Sequence, residues 1–218
     1  MLKENKIKIR LAYKDARTLE KDGGGPLFAL ATTYFGIKYQ CREDVEHLNK
    51  IMQEKYTFKV DFDAKQYIGI QLDWDYETRE LRCSMKGYVQ EALKELEYIA
   101  TSQRHYNAPS QIARPDYGAT IQYVKEDTGT SLTPSAIKHI ERVVGKFLYY
   151  GRAIDDTMLH AIGDIASNTS KATTTTQKAV QYFLDYANSN PDAEILYRAS
   201  DMILQTDSDA AYLVNTIS

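Results

Sequence analysis

The sequence predicts a chain that mixes helix and sheet, of α/β or α+β class, and three observations carry this. Alternating apolar and polar residues recur through the first hundred positions. Helical spacing dominates from residue 133 to about 188. The composition, 43% apolar and 26% charged over 218 residues, is that of an ordinary globular protein, long enough for one large domain or two small ones.

The elements follow in order. Ile7, Ile9, Leu11 and Tyr13 alternate with Lys6, Lys8, Arg10 and Ala12, which predicts a strand with one buried face. Asp22-Gly23-Gly24-Gly25-Pro26 breaks the chain. Leu27 to Ala31 and Phe35 to Tyr39 fit a tight hairpin, although the turn lacks Asn-Gly chemistry. Over 42–56, Val45, Leu48, Met52 and Tyr56 share one helical face, with Glu43, Glu46, Lys50 and Glu54 outside it. Strands are expected at 57–62, 67–73 and 80–83, with turns at 63–66 and 76–78. Ser84 is a candidate N-cap for a helix through Tyr98 that buries Tyr88, Ala92 and Leu96.

Patterning weakens between Thr101 and Thr130, leaving one candidate strand at Ala119 to Val124. Thr133-Pro134 then reads as a helix start, a capping hydroxyl ahead of proline at the first helical position. Ile137, Ile140, Val144, Phe147 and Leu148 form its inner face. Asp156 is a candidate cap for a second helix carrying Leu159, Ile162 and Ala166. A third, over 173–188, would bury Ala179, Phe183 and Tyr186 and stop before Asn190-Pro191. Glu194 to Ala199 and Met202 to Thr206 read as paired strands. The predicted order is β, ββ, α, βββ, α, connection, ααα, ββ.

Several function classes are disfavoured at this level. No apolar run approaches the roughly 18 to 20 residues that cross a bilayer, and the charged N-terminus has no secretory apolar core, so an intracellular location, cytoplasmic or nuclear, is expected. Two cysteines, Cys41 and Cys83, and four scattered histidines make neither a disulfide framework nor a spaced zinc site. A net charge of -3 argues mildly against nucleic acid, although residues 3–17 hold six basic side chains. The 17 tyrosines suit half-buried sheets, with base stacking as the functional alternative.

Six strings, in order, resemble copia-type LTR retrotransposon Pol. FGIKY at 35–39 is similar to the strand after the polymerase's paired aspartates, and EDVEHL at 43–48 to the palm helix that follows. YIGIQLDWDY at 67–76 resembles the primer-grip hairpin, and CSMKGYVQEAL at 83–93 the start of the thumb. VVGKFLYYGRAIDDTML at 143–159 resembles the segment before the connection helices, and ASDMILQTDSDAAYL at 199–213 the first strand of ribonuclease H. The resemblance spans about residues 27–213.

It implies an α+β arrangement. Residues 1–26 form an unrecognised segment, 27–100 a partial reverse-transcriptase palm (antiparallel sheet plus helix) with the start of the thumb, 101–132 a connecting segment, 133–192 a helical connection region, and 193–218 the first strands of a truncated ribonuclease H-like domain. The intact family polymerises DNA on Mg2+ held by three aspartates, a two-metal chemistry that requires hard carboxylate oxygens. Thr33 and Tyr34 stand at the paired aspartate positions, and neither replaces a carboxylate as a magnesium ligand. The third aspartate belongs to an upstream strand that this chain lacks. Asp209 matches the first ribonuclease H metal carboxylate, and one carboxylate cannot build that site.

Polymerase activity and a Mg2+ cofactor are therefore not expected of this chain by itself. The resemblance implies contact of RNA, DNA or their hybrid with Tyr67, Ile68, Gly69 and Ile70, where glycine permits close approach, and with Lys86 and Lys94. Solvated helix face is the alternative for the lysines, an ordinary buried strand for 67–70, and core for Trp74. A half-palm sheet would present an open edge, which favours a homo- or hetero-oligomer, for example as the inactive subunit beside an intact polymerase.

Overall fold

The computed structural model describes residues 8–14, 27–31, 34–39, 41–101, 104–111, 127–201, 203, 204, 206 and 208. The chain divides into two compact units, Met1–Ser84 with Leu196–Arg198, and Met85–Ile195 with Ala199–Ser218. Helix and sheet are mixed, compatible with the α+β class. The division falls at Ser84/Met85, and the connecting segment expected at 101–132 belongs to the second unit.

In the first unit, β1 (Lys8–Lys14), β2 (Leu27–Ala31), β3 (Tyr34–Tyr39) and β4 (Val60–Asp61) form a sheet of order β2-β3-β1-β4. β2 and β3 make the expected antiparallel hairpin, closing at Ala31 opposite Tyr34. β1 runs parallel to β3 on one side and to β4 on the other. In this first sheet the antiparallel arrangement expected from the resemblance is corrected to a mixed one, with a strand from the unrecognised 1–26 segment inside it, whereas the strands over 66–84 do pair antiparallel. Chain direction supplies the reason. Because β3 and β4 point the same way, the chain must cross over between them, and α1 (Arg42–Gln53) makes that crossover.

α1 presents Val45, Leu48 and Met52 to the sheet. Val45 and Ile37 are fully enclosed, with Phe35, Tyr39, Phe58, Val60 and Phe62 packed around them. Tyr56, expected on the same face, lies beyond the helix end and is exposed.

A second sheet has the order β5-β6-β7-β8, from β5 (Gln66–Tyr67), β6 (Ile70–Asp75), β7 (Glu80–Ser84) and β8 (Glu194–Tyr197). The strand expected over 67–73 is interrupted by a turn, because Tyr67 pairs with Ile70. β8 joins this sheet. Ile203 and Leu204 carry no strand and are 68% and 89% exposed, so the expected first strands of a ribonuclease H-like domain do not pair with each other among the described residues. The candidate strand at 119–124 lies outside the described residues.

The second unit is helical: α2 (Tyr88–Glu95), α3 (Pro134–Ala153), α4 (Leu159–Asn168) and α5 (Thr174–Ser189). Thr133 caps α3 as expected, its hydroxyl accepting from the Ala136 amide at 3.4 Å. Ser84 does not cap α2. It ends β7, and Gly87, in the left-handed region at φ 82°, turns the chain into the helix. Asp155, one residue before the expected Asp156, holds the Thr157 amide at 3.2 Å and opens a short 3-10 turn before α4.

Three inward residues are also corrected by one step. Val143 is buried where Val144 was expected, Ile165 in place of Ala166, and Val180 in place of Ala179. In each case the neighbour closer to the middle of the apolar stripe is taken. Phe147 and Phe183 meet edge to face at 5.1 Å at the centre of this unit, with Ile140, Val143, Met158 and Ile162 around them in the core.

Candidate nucleic-acid interface

The hairpin tip of the first sheet is the place where the resemblance expects metal-binding carboxylates. The register leaves two residues, 32 and 33, to connect β2 and β3. Thr33 lies outside the described residues, and Tyr34 is the first residue of β3. No Asp or Glu occurs anywhere in Leu27–Tyr39, so the donor chemistry of this hairpin does not fit magnesium. Asp209 also lies outside the described residues. Among those described, no group of three or more His, Cys, Asp or Glu side chains is arranged to hold a metal ion.

Tyr67, Ile68, Gly69 and Ile70 form a tight turn between β5 and β6. Ile68 and Gly69 both have positive φ, 43° and 88°, the pattern of the primed two-residue turns that match strand twist. The glycine is therefore needed for the turn itself, a reason distinct from the close approach expected of it. All four residues are half-buried.

At the far end of the same hairpin, Trp74 and Tyr76 stack at 6.1 Å, nearly parallel. Asp73, Asp75, Glu77 and Glu80 line the adjoining cleft with one Arg82. That field repels phosphate, so this aromatic pair is no platform for nucleic acid. Trp74 is half-buried and not among the buried core residues, and it donates to the Ala64 carbonyl at 3.4 Å.

Lys86 and Lys94 are both exposed, Lys86 two residues before α2 and Lys94 in its last turn. They do not converge with each other. Both flank a helix that packs on α3, where the Tyr88 hydroxyl donates to the Lys146 carbonyl at 2.9 Å and the Tyr88 ring stacks on Tyr150 at 5.5 Å.

α3 carries a further feature, outside the site residues that the resemblance implies. Lys138, Arg142, Gly145, Tyr149 and Arg152 recur at helical spacing and fall within an arc of about 80°. Lys138, Arg142, Gly145 and Arg152 are exposed, and Tyr149 is 41% exposed. Around Gly145 a side chain would meet nothing within 4 Å, so a ligand can approach the helix backbone there. The stripe runs roughly 21 Å along the axis. Four Lys or Arg residues in α3 face one acid, Glu141.

A charged outer face is the ordinary way to keep a helix soluble. Here three cations share the arc with an exposed aromatic near its centre line and a backbone opening, the combination that suits a phosphate chain with stacked bases, and the exposed Glu141 borders it. Tyr149 contacts the Tyr88 ring at 6.0 Å, tilted by 55°, so a supporting ring fixes its position. The signal in the sequence was the four-to-one charge ratio, hidden by the net charge of -3.

Two acids stand beside this stripe, Glu141 on α3 itself and Glu95 on α2. Glu95, the last residue of α2, pairs through its carboxylate with the Lys146 ammonium. Its backbone carbonyl accepts from the Arg142 guanidinium at 3.1 Å. The hydrogen bond from Lys146, and then its charge, hold the Glu95 carboxyl below the usual carboxylate range.

No family model, curated protein or solved structure matches this chain. The described residues contain no helix long and apolar enough to cross a membrane.

Proposed function

We propose that this chain is a reverse-transcriptase region of copia-type retrotransposon Pol that holds an RNA–DNA duplex and does not polymerise. The observation that carries the binding half is the α3 stripe of Lys138, Arg142, Gly145, Tyr149 and Arg152, three exposed cations and an exposed ring beside an open stretch of helix backbone. Support for the rest comes from the six ordered strings, from the β2–β3 hairpin followed by a helix on its sheet, and from the absence of carboxylates in that hairpin. A catalyst that lacks its metal ligands keeps the electrostatic part of substrate binding, because phosphate contacts come from separate cations.

The test is fluorescence anisotropy of a labelled RNA–DNA hybrid across a salt series, with primer extension in Mg2+ on the same preparation. Sub-micromolar binding at low salt is expected, weakening by about 0.9 log unit per log of salt for each phosphate contact. Reversing two charges, Lys138→Glu with Arg152→Glu, is expected to weaken it at least tenfold. Extension is expected to stay at the level of a protein-free control. Absence of binding at low salt by folded protein would overturn the binding half. Template-dependent extension would overturn the inert half.

A further inference from the structure

We infer that Glu95 is a built-in competitor for the phosphate-binding stripe of α3, and this rests on the reading of that stripe proposed above. Lys138 and Arg152 mark the two ends of the stripe. At its middle, Arg142 is engaged by the Glu95 carbonyl and neighbouring Lys146 by the Glu95 carboxylate. The carbonyl belongs to the C-terminal turn of α2, where the helix dipole adds partial negative charge. One residue therefore occupies two cations at once, through two different oxygens.

The pair is also positioned to open. The Glu95 side chain is 51% exposed and that of Lys146 27% exposed, so water replaces the contact at small cost. A phosphate seated on the middle of α3 takes over the Lys146 ammonium and releases the Glu95 carboxylate to solvent. Arg142 is held by a backbone carbonyl, which no side-chain substitution removes. The reversible half of the device is therefore the Glu95–Lys146 pair.

The test is Glu95→Gln, whose amide oxygen still accepts from Lys146 but carries no charge, measured with the same labelled RNA–DNA hybrid. Affinity at low salt is expected to rise roughly two- to fivefold, the scale of one exposed ion pair. The slope against log salt is expected to steepen by about 0.9, one additional phosphate contact. Lys146→Gln is expected to change little in the parent chain and to erase the gain in the Glu95→Gln background. Circular dichroism and the urea midpoint establish that each variant is folded.

Unchanged or weaker binding by folded Glu95→Gln would overturn the inference, since Glu95 would then orient Lys146 toward phosphate. The parent reading has its own readout. If the parent binds and the Lys138/Arg152 reversal weakens it while Glu95→Gln is neutral, only the competitor role falls. If neither the parent nor Glu95→Gln binds, both fall together.

Discussion

Asp185 shows how one side chain ties distant stretches of chain together. It is 4% exposed and accepts from the Tyr98 hydroxyl at 2.5 Å, the Thr101 hydroxyl at 2.5 Å and the Gln181 amide at 3.2 Å. Burial pushes its carboxyl upward, but the hydrogen bonds from Thr101, Tyr98 and Gln181 outweigh this and leave it below the usual carboxylate range. Removing the acceptor breaks three part-buried hydrogen bonds to a charged group at once, so Asp185→Ala is expected to destabilise by about 1 to 3 kcal/mol, read from the urea midpoint. The sign with pH follows from the lowered folded value. Its stabilisation is fully present above the unfolded value, near pH 4, and is lost as pH falls through the folded value. Asp185→Asn is therefore expected to flatten the acid side of the stability profile, and an unchanged profile would remove Asp185 from that role. Nothing local in the sequence marks this residue, because its partners Tyr98 and Thr101 lie more than 80 positions away.

At the scale of elements, the turn at Ile68-Gly69 shows a local rule broken. A β-branched residue at φ 43° is an outlier that most sequences avoid. Ile68→Asn is expected to stabilise the β5–β6 hairpin by up to about 1 kcal/mol, since asparagine favours the first position of this turn. Gly69→Ala, at φ 88°, is expected to destabilise it by at least about 1 kcal/mol. Urea midpoints check both, and equal midpoints would show that strain is not what limits this turn. The same pair explains a misread strand. Ile, Tyr and Gln around the glycine carry strand propensity, and the pairing partner that forces the turn is β6 itself. Helix ends were more legible. Thr133-Pro134 and Asn190-Pro191 act through bonds and sterics within four residues, and both bound the helices as expected. Ser84 and Asp156 misled because a hydroxyl or carboxylate can cap only where the backbone turns, and Gly87 and Asp155 own those turns.

At the scale of the whole molecule, strand order matters for association. β2 and β4 end one sheet, and β5 and β8 end the other. Strands that end a sheet favour pairing with another chain, and in the second unit the apolar side chains Ile203 and Leu204 stand exposed. Self-association at micromolar concentration is therefore expected in sedimentation velocity, and a single monomer boundary across a tenfold concentration range would count against it.

Short-range chemistry accounts for what could be read before folding: the β2–β3 hairpin, the helical periods of α1, α3 and α5, the cap at Thr133 and the missing carboxylates of the hairpin. These depend on residues within one or two turns of each other, and the missing carboxylates on composition alone. Long-range pairing decided the rest. β1 lies between β3 and β4 because a parallel crossover must span the sheet, and β8 reaches β7 across more than a hundred positions. Packing against α2 settled which face of α3 turned outward, which also brought Glu95 onto Arg142 and the neighbouring Lys146. Helical periodicity defines a set of faces, and only the energy of burying one of them selects which residues are left to meet a ligand.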